Sequence, residues 1–260
     1  MIDFVSSQYQ SYLAANDLVS FDDLWDREEK WFEPRNIGKS ESSWSGVVRI
    51  DLGEKRFFLK RQENYFTLSP RYPFKISVVE DEYRNIATFT ELEVPSLEVV
   101  ACKVRLKNGK RQALIMTAAL DGYVDLDAVS VGLPKSGLSV SAKRRVLKNL
   151  AQLIRLTHSK GLFHGNLYPN HLFIDQKMLI GPLTPDSISC RFIDMERAGK
   201  AFPRKRKQLR DIETLDRRTP NWSRSDRLFF LLNYLNLDSC DQSVRDYLCR
   251  LSKISKKKAK

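Results

Sequence analysis

The period at which apolar residues recur changes once along this 260-residue chain, and that change restricts the fold more than any other feature. Strand-type runs rich in β-branched and aromatic residues, "WSGVVRIDL", "KRFFLKR", "ACKVRL" and "RQALIMT", fill much of the first 120 residues. Helical spacing dominates afterwards, beginning with Val146, Leu150, Leu153 and Ile154 in "SAKRRVLKNLAQLIRLTHSKG". A sheet-forming front followed by a helical back predicts an α+β protein with a small antiparallel sheet in one part and mostly helices in the other.

Local signals divide the chain further. In "SFDDLWDREEKWF", Ser20 followed by Asp23 has the form of a capping box, so a short helix is expected before the main fold. "GEK" joins the first two strands as a hairpin, and Asn108-Gly109 in "KNGK" is the dipeptide that favours a type I′ turn between the next two. Between these hairpins, "SVVEDEYRNIATFTELEV" (77–94) places Val79, Tyr83, Ile86, Ala87 and Thr90 at helical spacing, with Pro95 just beyond. The order helix, strand, strand, helix, strand, strand therefore precedes a helical half that ends in "RSDRLFFLLNYLNL" and "SVRDYLCRLSKIS". These readings give an N-terminal helical extension over 1–30, a sheet-bearing lobe over 31–120 and a helical lobe over 121–260, with a tight hinge near Thr117 to Gly122. There is no internal repeat or low-complexity linker.

Composition narrows the partners. The hydrophobic fraction of 42% supports a packed core, and no stretch reaches the ~20 apolar residues of a membrane span. The N-terminal segment lacks a basic start with an apolar run, so a cytoplasmic location is expected. Four cysteines without CxxC spacing indicate neither a disulfide framework nor a zinc site. The formal net charge is +12; "KAFPRKRKQLR" (200–210) holds six basic residues and no acid, and "SKISKKKAK" adds five lysines. Such runs favour anionic partners: nucleic acid, lipid head groups or a phosphorylated substrate. Nucleic acid is the weakest of these, since the runs carry no interleaved aromatics and no recognisable reading motif.

Three segments carry chemistry. In "RFFLKR", Lys60 sits at an inward-facing alternation between apolar residues, and the following helix offers Glu82 in "EDEYRNI". A cation held by a carboxylate is what a phosphate-contacting lysine requires. "HGNLYPNHLFID" lines up with the protein-kinase catalytic loop HRDxxxxN: His164 at the first place, Gly165 for Arg, Asn166 for the catalytic Asp, and His171 for the metal-binding Asn. Twenty-eight residues after Asn166, "RFIDMERAG" holds Asp194 at the position of the magnesium-chelating Asp of DFG, although Met195 and Glu196 replace Phe and Gly.

"SSWSGVVRIDL", "FFLKRQENY", "DEYRNI", "HGNLYPNHLFID" and "RFIDMERAG", in this order over nearly the whole chain, resemble the lipopolysaccharide kinase family of Gram-negative bacteria, which includes the Kdo and heptose kinases and the InaA proteins. The family loop resembles HRDxYxxHxL, so Tyr168 and His171 suit this branch. The resemblance implies a bilobal protein-kinase-like fold and ATP with Mg2+. It also implies an acceptor hydroxyl on a Kdo or heptose of the lipopolysaccharide inner core or a lipid A-core precursor, at the cytoplasmic face of the inner membrane. The basic runs then read as contacts to that anionic leaflet. Lys60 is expected on the nucleotide phosphates, Glu82 on Lys60, and Asp194 and His171 on magnesium. The loop "GKSESSWSG", Gly38 to Gly46, is expected to cover the nucleotide.

Asn166 departs from the family loop. An amide orients a hydroxyl but cannot take its proton, and loss of general-base help typically costs about 10²- to 10⁴-fold in rate. This leaves two readings: a slow kinase with Asn166, His164 and Lys60 as its catalytic residues, Asn166 orienting the acceptor, or a pseudokinase that binds nucleotide as a regulator or scaffold. Glu196 and Asp186 are the nearby carboxylates in sequence that could replace the missing base.

Overall fold

The computed structural model describes residues 1–38, 42–67, 75–131, 138–181, 188–201 and 204–258. The chain divides into two compact units, Met1–Ala87 with Leu97–Asp121 and Thr88–Ser96 with Gly122–Lys260.

The first unit contains β1 (Asp3–Val5), α1 (Ser7–Ala14), α2 (Phe21–Trp25), β2 (Trp31–Ile37), β3 (Trp44–Leu52), β4 (Lys55–Glu63), the two-residue pair β5 (Phe66–Thr67) and β6 (Ile76–Ser77), most of α3 (Val78–Glu91), β7 (Val99–Lys107) and β8 (Lys110–Ala118). Six strands form one antiparallel sheet in the order β1-β7-β8-β4-β3-β2. The two hairpins expected from sequence are its four central strands. Asn108 and Gly109 both have positive φ, 51° and 74°, as a type I′ turn demands. The predicted capping box is also present: Ser20 Oγ accepts from the Asp23 amide, and the Asp23 carboxylate accepts from the Ser20 amide.

Both edge strands and α1 escaped the sequence reading, for physical reasons. β1 is three residues long, and β2, "WFEPRNI", is exposed along most of its length and contains Pro34, a residue confined to sheet edges because it cannot donate to the ladder. α1 turns only Tyr9 and Leu13 into the core, too few to register as a period. Residues 1–30 are therefore not a detached extension. Tyr9, Leu13, Leu18 and Leu24 are buried against Val48, Ile50, Phe57, Leu59, Leu114 and Met116 on one face of the sheet.

Strict alternation along β4 gives the strand two chemically different faces. Phe57, Leu59 and Arg61 face that core and its tryptophans, whereas Lys60 and Gln62 face α3. Gln62 Oε1 accepts from the Val79 amide at 3.0 Å, fixing the first turn of α3 against the strand.

The second unit holds the end of α3, then β9 (Tyr123–Asp125), α4 (Leu126–Val131), α5 (Val140–Ser159), β10 (Leu162–Phe163), β11 (Leu172–Asp175), α6 (Lys177–Ile180), β12 (Cys190–Phe192), β13 (Gly199–Lys200), α7 (Arg204–Arg218), α8 (Arg224–Leu235) and α9 (Gln242–Lys258). α5 is the central helix, burying Val146, Leu150, Leu153 and Ile154; its N-cap is Ser139, which accepts from the Ala142 amide. It packs on α8, whose own capping box is Ser223 with Asp226. β11 pairs with β9 and β12, and β10 pairs with β13, so short antiparallel ladders pin both ends of the segment 164–171. The basic run 200–210, read from sequence as charge alone, enters α7 at Arg204, and Asp211, Ile212, Glu213, Thr214 and Leu215 of that helix are buried.

Cys102 and Cys190 are free and buried, and burial pushes both thiols well above their ordinary pKa; Cys240 and Cys249 are free and exposed. No helix among the described residues is long and apolar enough to cross a membrane.

Candidate nucleotide and metal centre

In the first unit, Lys60 Nζ donates to Glu82 Oε2 at 2.9 Å, with the side chains 20% and 7% exposed. β4 delivers the lysine and α3 the carboxylate, and α3 is itself anchored at its start. Ser77 Oγ accepts from the Glu80 amide, while Glu80 Oε2 accepts from the Ser77 amide, a reciprocal cap at the helix entrance. Arg111 from β8 grips the same Glu80 through Nε and Nη2 at 2.7–3.0 Å. Burial alone would raise the Glu80 pKa, but the Arg111 and Ser77 hydrogen bonds outweigh it and hold the carboxyl below its ordinary value. Glu80 therefore positions the helix, and Glu82, half a turn on, is left to hold Lys60.

The two glycines expected over the nucleotide differ. Gly38 donates its amide to Ser43 O at 2.7 Å, and a Cβ there would come within 2.4 Å of Ser43 Oγ, so a larger residue would have to turn that hydroxyl aside. Residues 39–41 of the covering loop lie outside the described residues. Gly46 is not in the loop. It lies inside β3 opposite Arg61, and a Cβ would strike the Trp31 ring at 2.6 Å. The absent side chain at Gly46 makes room for an indole.

In the second unit the loop is built around main-chain bonds. Gly165 adopts φ +83°, and a Cβ there would meet Arg197 O at 2.5 Å. Glycine alone fits this conformation and close approach without strain. Asp211 from α7 accepts from the amides of His164 (2.7 Å) and Gly165 (2.8 Å) and faces His158 Nε2 at 3.3 Å. Sequence reasoning missed Asp211, because its partners are backbone amides 46 and 47 residues away and its segment reads as basic charge.

His164 is 1% exposed, and burial above all lowers its pKa, so the ring is neutral. Its Nε2–H donates to Ile193 O at 2.9 Å, while Nδ1 faces the Asn166 amide at 3.3 Å. The histidine thus ties the loop to the segment carrying Asp194. It is a positioning residue.

Asn166, His171 and Asp194 converge. Asn166 Nδ2 donates to Asp194 Oδ2 at 3.2 Å. His171 Nδ1 donates to Asn166 O at 2.9 Å and lies 3.3 Å from the same Asp194 oxygen. Asp194 holds a left-handed conformation, φ 55° and ψ 63°, which aims its carboxylate into this group. Tyr168 packs its ring 5.3 Å from that of His171 and lies under Arg218. Of the two carboxylates considered as replacement bases, Glu196 is half-buried in the turn Met195–Arg197 and Asp186 lies outside the described residues.

A magnesium ion takes hard oxygen donors and is usually held by one or two carboxylates together with substrate phosphates. Asp194 supplies such a carboxylate, and Asn166 commits its Nδ2 to that group. Among the described residues no cluster of three or more His, Cys, Asp and Glu side chains could hold a metal by itself. The donor set fits a metal that arrives with phosphates rather than a resident ion in a protein cage. Because Nδ1 of His171 is used as a donor, only Nε2 of that ring is available to a metal.

A sheet-borne lysine paired with a helix glutamate, a histidine-led loop and an aspartate after the following strand define a protein-kinase-like fold. The solved structure titled "WaaP in complex with acyl carrier protein" has the same fold, with a TM-score of 0.69, 18% identity and 99% of each chain covered. The chain is also 24% identical over 202 residues to protein InaA of Escherichia coli (strain K12), covering 76% of this chain and 87% of that one. The sequence model of the lipopolysaccharide kinase (Kdo/WaaP) family matches residues 22–234. The chain belongs to that family.

Proposed function

We propose that this protein binds ATP with Mg2+ and transfers phosphate to a sugar hydroxyl, on Kdo or heptose, of the lipopolysaccharide inner core. The observation that carries the reading is the shielded Lys60–Glu82 ion pair at 2.9 Å, in a chain of the lipopolysaccharide kinase family. Lys60 contacts the nucleotide phosphates and Glu82 keeps it extended. Gly38 opens the covering loop. Asp194 holds the metal, with His171, fixed by its Nδ1 bond to Asn166 O, offering Nε2. When bound, the magnesium neutralises phosphate charge. Asn166 Oδ1 accepts from the sugar hydroxyl and orients it without taking its proton.

Peripheral attachment to the anionic cytoplasmic leaflet would bring such an acceptor within reach, and the basic residues of α7 and α9 supply the charge for it. The acyl carrier protein found with WaaP makes that protein a partner to test by co-purification.

Asn166 supports a second reading, a nucleotide-binding pseudokinase. Radiolabelled ATP incubated with the protein and purified core oligosaccharide separates the two. Label on the sugar that disappears in Lys60→Met supports the kinase. Bound nucleotide without transfer at high protein concentration supports the pseudokinase, and failure to bind nucleotide sinks both.

A further inference from the structure

A second cavity in the first unit has no part in the site above. It encloses about 600 Å³ and lies where the α2–β2 connection meets the start of β3, lined by Trp25, Trp31 and Trp44 and by basic Arg27, Lys30, Arg35 and Arg61 against acidic Asp26, Glu28 and Glu29. It opens on the face of β4 that carries Arg61, opposite in the strand alternation to Lys60.

The charges in this cavity are unbalanced. Arg61 is 5% exposed, and its guanidinium lies over the Trp31 ring at 4.9 Å, donating through Nη1 to the carbonyls of Trp25 and Arg27. Its Nε has no hydrogen-bond partner. Arg35 approaches the same indole, 5.1 Å from Trp31 and 4.2 Å from Trp44. Among the described residues neither arginine has a carboxylate in ion-pair contact. Of the other basic residues that line the cavity, Arg27 pairs with Glu29. Two guanidinium groups that share one aromatic ring repel each other, and the nearby Asp26 and Glu29 charges oppose that effect at Arg61 without outweighing it. Burial, then the Arg35 charge, lowers the Arg61 pKa for this reason.

The shape of the aromatic wall selects the rest of the ligand. Trp25 and Trp44 are tilted by 45° with centroids 5.5 Å apart, and Trp31 stands at 83° to Trp44 at 6.1 Å. No two rings are parallel, so no slot exists to sandwich a flat nucleobase. Tilted indole faces instead suit the C–H faces of a saturated sugar ring, whose opposite edge presents hydroxyls. Asp26 and Glu28, exposed at the mouth, are pure acceptors and match those hydroxyls. Arg35 is exposed enough to move onto an anion, and its planar fork matches a phosphate.

We propose that the Trp25–Trp31–Trp44 cavity is a binding site for a phosphorylated sugar, with the indoles on the ring, Arg35 on the phosphate and Arg61 supplying positive field from beneath. The site stands apart from nucleotide binding and does not depend on phosphoryl transfer.

Three of the four tryptophans of the chain line the cavity, so intrinsic fluorescence reports its occupancy directly. The full-length protein is titrated separately with glucose 6-phosphate, glucose and inorganic phosphate. Glucose 6-phosphate is expected to change the emission saturably, and glucose and inorganic phosphate each to bind at least about tenfold more weakly, since each lacks one half of the recognition. Arg35→Ala is expected to weaken glucose 6-phosphate by about tenfold or more; Arg35→Gln, which keeps part of the aliphatic stem and a polar end without the charge, gives the same reading if the alanine variant fails to fold. Lys60→Met should leave the titration unchanged. The proposal is overturned by a flat glucose 6-phosphate titration, by equal affinity for either half alone, by indifference to both Arg35 variants, or by loss of the signal in Lys60→Met.

Discussion

Asn166 donates its side-chain amide to the Asp194 carboxylate at 3.2 Å, so the group standing in the catalytic position is a hydrogen-bond donor to the residue proposed to hold the metal. A carboxylate at 166 would reverse that relationship. Two acidic groups at this separation cannot both ionise without a cation between them. Asn166→Asp should therefore lower stability by about 1–2 kcal/mol in metal-free buffer. Added Mg2+ should restore it, because an ion binding the folded state alone stabilises by RT ln(1 + [L]/Kd). Thermal denaturation of both proteins with and without Mg2+ checks this. A variant as stable as wild type in EDTA, and no more responsive to Mg2+, would show that the two side chains do not share a cation site.

Asp211 holds the loop through two backbone amides and faces a buried histidine. Asp211→Ala leaves the His164 and Gly165 amides without their acceptor, and should cost about 3–5 kcal/mol. Asp211→Asn retains one acceptor oxygen and should fall between alanine and wild type. Urea denaturation gives the comparison, and a loss under about 1 kcal/mol for the alanine variant would mean that water or another group replaces the carboxylate.

Lys60 and Glu82 were legible in sequence because each sits on a regular element whose period assigns its face, and because paired charges at the end of a strand and the start of a helix are chemically distinctive. The central four strands were legible for the same reason. Asp211 was not, since a carboxylate that serves distant main-chain amides leaves no pattern in its own neighbourhood. The packing need for glycine at 46 was not legible either: the strand register and the Trp31 ring supply it, and neither is visible locally. The Arg35–Trp31–Arg61 arrangement was invisible likewise, since strand pairing of β2 with β3 and β3 with β4 brings its members together.

Gly165 and Gly109 separate two reasons for needing glycine. Both have positive φ, +83° and +74°, but a Cβ at 109 meets nothing within 4 Å, whereas one at 165 strikes Arg197 O at 2.5 Å. Gly109→Ala should cost about 1–2 kcal/mol, the penalty of the left-handed conformation alone. Gly165→Ala carries that penalty together with about 1–3 kcal/mol for displacing the backbone behind it. Equal losses in parallel denaturation curves would show that the Arg197 segment yields freely and that the close approach does not shape the loop.

Glu80 ties the start of α3 to β8 and so fixes the helix that presents Glu82, which makes its ionisation a handle on the first unit. Its folded-state pKa is held below the ordinary 4.5 by Arg111 and Ser77 against the opposing effect of burial. Below pH 4.5 the unfolded chain takes up a proton at this position before the folded one does, so stability falls with falling pH until the folded-state pKa is passed. The contribution is fully present above pH 4.5 and absent well below the folded-state value. Glu80→Gln removes this titration and leaves Arg111 facing a neutral amide. The variant should be less stable than wild type at pH 7, by about 2–4 kcal/mol, and its stability should decline less steeply between pH 4.5 and 3. Urea midpoints measured across that range test both parts. Parallel pH profiles for the two proteins would place the acid sensitivity elsewhere and remove Glu80 as the electrostatic anchor of α3.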